Sequence, residues 1–221
     1  VIGGNDYLRN TAGDILINPA NGYPIKNTNF TEIGDRNPNF TMGLTNTMRY
    51  KNWNLSALLD FRRGGDVYNA NELFLYTTGL STRTLDRETS RVVRGVLRDG
   101  LENSAKPTVN TIQVTPITRN DFYNAAAVES DFIEHNINWL RLRDVTLRYN
   151  FPKSLLGTNK LVRGASVFFT GTDLFLLTNY TGADPSISGL NASTGGSGAA
   201  GFDFGSIAVP RGYSFGVQIQ L

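Results

Sequence analysis

The chain of 221 residues contains no cysteine, which excludes a disulfide framework, thiol chemistry and cysteine-bound zinc. Its one histidine is His135, so a histidine-based metal cluster is excluded too. Charge of one sign is also missing: 21 Lys+Arg against 19 Asp+Glu leaves +2. Nucleic-acid binders carry a clustered basic excess, so no nucleic-acid partner is expected. No apolar run approaches the ~18 residues of a membrane helix, and no signal peptide opens the chain. Gly-x-Ser-x-Gly is absent, so His135 has no serine in a nucleophile elbow. The glycines between Ser193 and Gly205 precede neither Lys-Ser/Thr nor a helix pattern, so they are no phosphate loop. Asp6, Asp14 and the asparagines near them lack EF-hand spacing and read as loop. Asp131 and Glu134 read as polar loop residues. An enzyme is not expected, and neither is a cofactor or metal.

What is present is alternation of period two, which puts successive side chains on opposite faces of a strand. Phe40, Met42, Leu44, Met48 and Tyr50 share one face, against Thr41, Gly43, Thr45, Thr47 and Arg49. After Lys51-Asn52 the pattern restarts: Trp53, Leu55, Ala57, Leu59 and Phe61 against Asn54, Ser56, Asp60 and Arg62. A connection so short requires an antiparallel hairpin. A third strand spans about Asn136 to Phe151. Its apolar set changes phase between Leu140-x-Leu142 and Val145-x-Leu147, which a bulge would explain. A fourth runs from about Val162 to Leu177. The fifth takes in Val209, Tyr213, Phe215, Val217, Ile219 and Leu221.

These strands are long. Soluble strands average about 5–6 residues. One of ~11 residues, at ~3.3 Å rise and ~40° tilt, climbs roughly 28 Å, the depth of a bilayer core. Connections are short at one end and long at the other, over residues 63–135 and 178–208. Tyr50, Trp53, Tyr149 and Phe151 gather beside the short turns, with Phe40 and Phe61 at the far ends. That is the layout of two membrane girdles flanking an apolar band. The expected fold is all-β: an antiparallel transmembrane β-barrel segment of about five strands over residues 40–221, after an N-terminal extracellular loop region, residues 1–39. Five strands cannot close a barrel, because single-chain bacterial barrels have even numbers from about eight upward. A piece of a longer chain is therefore expected.

Within the first long connection, Asn69 to Thr77 reads as a short helix ended by Gly79. Thr84 to Arg98 reads as an amphipathic helix, with Val92, Val93, Val96 and Leu97 on one face and Arg87, Arg91, Arg94 and Arg98 as a basic stripe. That stripe is either a solvated face or a contact for an acidic partner. Asn10 to Gly13 is a candidate hairpin tip. Asp60, Asp66, Asp144 and Asp173 fall on polar faces or strand ends, where they line or rim a lumen.

The final residues, Ser214 to Leu221, place polar Ser214, then Gly216, then Ile219 and Leu221. This resembles the signal read by the outer-membrane assembly machinery, which offers a terminal strand to an open sheet edge. Six blocks then resemble, in order, the SusC/RagA-type TonB-dependent outer-membrane transporters of Bacteroidetes. They are Ile33-Gly34-Asp35 with Asn37-Pro38-Asn39-Phe40; Phe61 to Asn69; Trp139 to Leu147; Gly171-Thr172-Asp173-Leu174-Phe175; Asn179 to Pro185; and Pro210 to Gly216. The resemblance covers about Phe30 to the end and corresponds to the final quarter of such a receptor. The family usually ends in an aromatic, whereas this chain ends in Leu221.

The resemblance implies a barrel of about 22 strands in the bacterial outer membrane, with a plug and TonB box outside these residues. It also implies a SusD-like surface lipoprotein as lid, and glycans or peptides as cargo. The implied partners are the rest of the barrel and plug, that lipoprotein, TonB, the barrel-assembly machinery and the lipid bilayer. Asp66, Tyr68, Asn69, Tyr180 and Asp184 are the positions expected to meet ligand or lid. Two other readings are a small outer-membrane barrel acting as adhesin or pore, and a soluble carbohydrate-binding domain with Trp53 or Tyr180 as sugar platforms.

Overall fold

The computed structural model describes residues 1–118, 121–156, 162–186, 201–205 and 207–221. The chain divides into two compact units. A sheet unit comprises Pro38–Gly65, Asn136–Ile187 and Ile207–Leu221; a connecting unit comprises Val1–Asn37, Asp66–His135 and Ser188–Ser206.

The sheet unit holds five long strands: β1 (Phe40–Tyr50), β2 (Trp53–Arg63), β3 (Trp139–Asn150), β4 (Gly164–Thr178) and β5 (Gly212–Gln220). They lie in the order β5-β4-β3-β2-β1, every pair antiparallel. The hairpin turn is Lys51-Asn52, closed by the Tyr50–Trp53 pair, with Lys51 left-handed at φ 51°. The third strand starts at Trp139 rather than Asn136, because Asn136 is itself left-handed at φ 54°. The fifth starts after Pro210, which has no N–H to donate to a ladder. The sheet is open, with β1 and β5 as its edges.

The phase change in β3 is a bulge at Arg143. Leu142 pairs with Leu59, but Asp144 pairs with the adjacent Leu58. The extra residue returns the following side chains to register, so Leu140, Leu142, Val145, Leu147 and Tyr149 all share one face. On the other flank the pairing skips from Phe175 to Thr172, and Asp173 inside that skip is left-handed at φ 50°. Two consecutive rows across the sheet show the outcome. Met48, Leu55, Leu147, Phe169 and Phe215 form one row; Thr47, Ser56, Thr146, Thr170 and Ser214 form the next, on the opposite face. The apolar row is exposed, with Met48 at 61% and Phe215 at 71%.

The connecting unit is built from short strands. Ile2–Gly4 pairs antiparallel with Thr31–Gly34. Val67–Asn69 lies between Ile133–Glu134 and Phe202–Asp203. Leu16–Ile17 pairs parallel with Val96–Leu97, and Arg91–Val92 pairs with Gln113–Val114. Helix α1 (Ala70–Thr77) is capped by Asn69, whose side chain accepts from the Glu72 N–H at 3.0 Å; Gly79 follows it at φ 74°. A shorter helix, α2, spans Phe122–Ala126. Two apolar clusters hold the unit, one around Ile2, Tyr68, Ala70, Phe132 and Ile133, the other around Tyr23, Val114, Phe122 and Ala126. Asn10–Gly13 is a hairpin tip: Gly13 N donates to Asn10 O, and Arg9 bridges Ile15. The amphipathic helix expected over Thr84–Arg98 does not form. Its valines are β-branched and favour strands. Gly95 lies at φ 158°, where a Cβ would sit 2.4 Å from the Ile15 carbonyl oxygen. The basic stripe disperses accordingly: Arg87 Nε donates to Thr84 O, and Arg91 pairs with Asp86 at 2.8 Å.

Candidate functional site

The apolar face of the sheet carries two ring clusters. Trp53 and Tyr149 have centroids 4.7 Å apart, Tyr149 and Phe151 5.3 Å, and Tyr50 pairs with Trp53. At the opposite end Phe40 and Phe61 approach to 5.4 Å. Strand alternation puts these rings on the side of the exposed apolar row, which separates the two clusters.

The polar face is organised by arginines from β3. Arg141 is 2% exposed, and its Nη1 donates to Asp173 Oδ1 at 3.1 Å. Its Nη2 donates to Asp184 Oδ1 and, at 3.0 Å, to Ser186 Oγ. Its Nε is buried with no partner among the described residues. Burial would raise the Asp184 carboxyl, but the hydrogen bonds from Arg141 and from the Ser186 N–H and hydroxyl outweigh it and hold the group below the usual carboxylate range. Arg143 reaches Asp60 through Nε and Nη2, at 3.1 and 2.8 Å. Arg62 stacks over Trp139 at 4.8 Å and donates Nε to Gly64 O.

Of the five positions expected to meet ligand or lid, Tyr68, Asn69, Tyr180 and Asp184 are buried. Tyr68 is 9% exposed inside the first apolar cluster, edge-on to Phe202 and Phe204; burial and the Glu129 charge push its hydroxyl up to about 12. Asn69 caps α1 and donates to Glu134 Oε1 at 2.8 Å. Asp184 is 2% exposed on Arg141. Tyr180 is buried over Gly182, so it offers no sugar platform. For Asn69 and Asp184 the polar atoms that suggested a contact are used by the fold. Asp66 keeps a partly exposed carboxylate: Oδ2 accepts from the Asp35 N–H at 2.9 Å and lies 3.0 Å from His135 Nδ1. Asp131 accepts from the Tyr7 hydroxyl. Of the glycine-rich stretch from Ser193 to Gly205, residues 193–200 lie outside the described residues; Phe202–Asp203 is a strand. Sequence reading missed the Arg141–Asp184 pair. Its only signal was a charged residue two positions before the strand changes phase.

In the terminal strand Ser214, Gly216 and Ile219 fall on the faces the alternation requires, and Leu221 follows the strand's end at Gln220. Gly216 has a local reason as well: the Phe168 ring lies across it.

Long antiparallel strands with one apolar, aromatic-flanked face and one charged face define a barrel-wall type of sheet. No family model matches the chain. It is 28% identical over 190 residues to TonB-dependent receptor P3 of Formosa agariphila, and 27% identical over 188 residues to TonB-dependent receptor P26 of the same organism. Each match takes 85% of this chain and 17% of the relative, so the chain spans about a sixth of their length. In fold it is similar to the RagAB peptide importer in its closed-closed state, with a TM-score of 0.61, 17% identity, and coverage of 99% of this chain and 22% of that one. The open-open state gives 0.59, over 100% of this chain and 22% of that one. Over most of its length the chain is thus similar in sequence to part of two TonB-dependent receptors, and in fold to part of a peptide importer.

Proposed function

We propose that the chain is a stretch of barrel wall in an outer-membrane nutrient importer, with its apolar face on lipid and its polar face on the lumen. The observation that carries the reading is the pair of adjacent rows, one wholly apolar and exposed, the other wholly hydroxyl. A soluble domain would cover so large an apolar surface. The ring clusters of Phe40, Phe61 and of Tyr50, Trp53, Tyr149, Phe151 then act as interfacial girdles. Closure into a barrel of about 22 strands requires neighbours on both open edges. Unpaired backbone groups in lipid cost several kcal/mol each.

On this reading the connecting unit faces the outside, where Asp66 is the most exposed of the five candidates for cargo or lid contact. Uptake of glycans or peptides beneath a SusD-like lipoprotein, energised through TonB, is the finer form of the proposal; the likeness to a peptide importer and to TonB-dependent receptors supports it.

The absence of cysteine from these residues makes accessibility mapping clean. In the full-length transporter, single cysteines replacing Leu55, Leu147 or Phe169 should react only with a lipid-soluble maleimide, and those replacing Ser56, Thr146 or Thr170 only with a water-soluble one. Equal reaction of both rows with the water-soluble reagent overturns the reading.

A further inference from the structure

Strand β3 presents three arginines to the polar face, and their surroundings differ. Arg141 sits on Asp173 and Asp184, and Arg143 on Asp60. Arg148 sits on neutral groups: Nη1 donates to Gln218 Oε1 at 2.7 Å and to Ser166 Oγ at 3.3 Å, and the guanidinium stacks over the Phe168 ring at 5.0 Å. No carboxylate pairs with it among the described residues. The neighbouring wall is already in place. Across the sheet Arg148 pairs with Asn54, and Asn54 with Arg49; on the other flank it pairs with Phe168, and Phe168 with Gly216. Across two strands on each side, the positions in register with Arg148 thus supply a second cation and no anion. Arg148 also borders a cavity of about 210 Å³, lined besides by Asn150, Ser166, Gln218 and Gln220, in which it is the only charged group among the described residues.

A guanidinium held by neutral hydrogen bonds and an aromatic face is oriented before its partner arrives, and its free N–H groups fit a carboxylate in a bidentate pair. We propose that this cavity receives an Asp or Glu side chain from a segment of the same polypeptide lying outside these 221 residues, on the lumenal side. The inference rests on the barrel-wall reading. Two facts favour this occupant over soluble cargo: the charge is complementary, and about five-sixths of the length of the relatives lies beyond the stretch they share with this chain.

The test is zero-length crosslinking in the full-length transporter. Arg148→Lys puts an amine in the cavity, and Gln218→Lys puts one on its exposed rim, keeping the arginine but removing its Oε1 acceptor. Carbodiimide treatment should then form an amide from position 148 or 218 to an Asp or Glu outside residues 1–221, located by mass spectrometry and lost in Arg148→Gln. Arg143→Lys, which should link to Asp60, is the positive control. With that control positive, no link from either position overturns the proposal, as does a link only to an added soluble carboxylate or only within residues 1–221. A water-reactive cysteine at Thr146 in the same protein shows that the wall reading stands, so the two failures are distinguishable.

Discussion

The phenyl ring of Phe168 lies across Gly216 on the neighbouring strand, so that a Cβ at 216 would fall 2.3 Å from the ring Cζ. The glycine that resembles part of an assembly signal therefore also has a packing role inside the folded sheet. Gly216→Ala should cost about 1–3 kcal/mol, the usual range for overpacking. Phe168→Ala in the same protein separates the roles. If packing is the cause, the double variant recovers heat-resistant migration in detergent gels. If the glycine is read by the assembly machinery, the double variant stays defective in membrane insertion.

The Arg141–Asp184 pair is the second test. Asp184→Asn leaves a buried guanidinium short of one carboxylate, a type of change that costs about 3–5 kcal/mol. Asp173 remains, which places the expectation near the lower end. Asp60→Asn removes the partner of the half-exposed Arg143 and should cost about 1 kcal/mol or less. Detergent-phase unfolding midpoints compare the two, and equal losses would contradict the burial difference.

The same pair sets a pH dependence. The Asp184 carboxyl is held below its ordinary value in the folded chain. Its contribution is fully present above the ordinary carboxylate range and is lost as pH falls through the folded value. Unfolding midpoints of the unmutated protein should therefore drop on acidification below the ordinary range, and the drop should shrink in Asp184→Asn.

Gly95→Ala tests the parallel pairing of Leu16–Ile17 with Val96–Leu97. The new Cβ meets a backbone oxygen rather than a flexible side chain, so the strands must part. A cost of about 1–3 kcal/mol is expected for such a forced backbone position. Limited proteolysis should then cut near residues 10–20 or 95–100, sites resistant in the unmutated protein.

Trp53 and Trp139 give a spectroscopic check, being the two tryptophans of these 221 residues. Trp53 stands half-exposed on the apolar face, and Trp139 is buried beneath Arg62 on the polar face. Brominated lipid should quench fluorescence that is lost in Trp53→Phe and retained in Trp139→Phe. The reverse assignment would invert the two faces.

The five strands, the hairpin turn and the bulge were legible in the sequence because alternation is local: Leu140, Leu142, Val145 and Leu147 report their face without knowledge of any partner. The connecting unit was not. Its strands are two to four residues long, too short to show a period, and pairings such as Leu16 with Val96 join positions far apart in sequence. The span Thr84–Arg98 misleads because arginines three to four apart mimic a helix face, while valines and Gly95 decide otherwise. Asp184 and Tyr180 looked like surface contacts because polar residues in loops usually are. Their partners, Arg141 and the Gly182 backbone, are known only once the chain is folded.

The edge strand Gly212–Gln220 has a consequence for handling the protein. It carries no charge and no proline, and alternates Tyr213, Phe215, Val217 and Ile219 along a row of unpaired backbone groups. The gatekeepers that blunt natural edges are absent from it. Away from lipid and from the next strand, this stretch has the composition of a cross-β seed. Material refolded without detergent should therefore pass into thioflavin-positive fibrils, and an added peptide of these nine residues should shorten the lag.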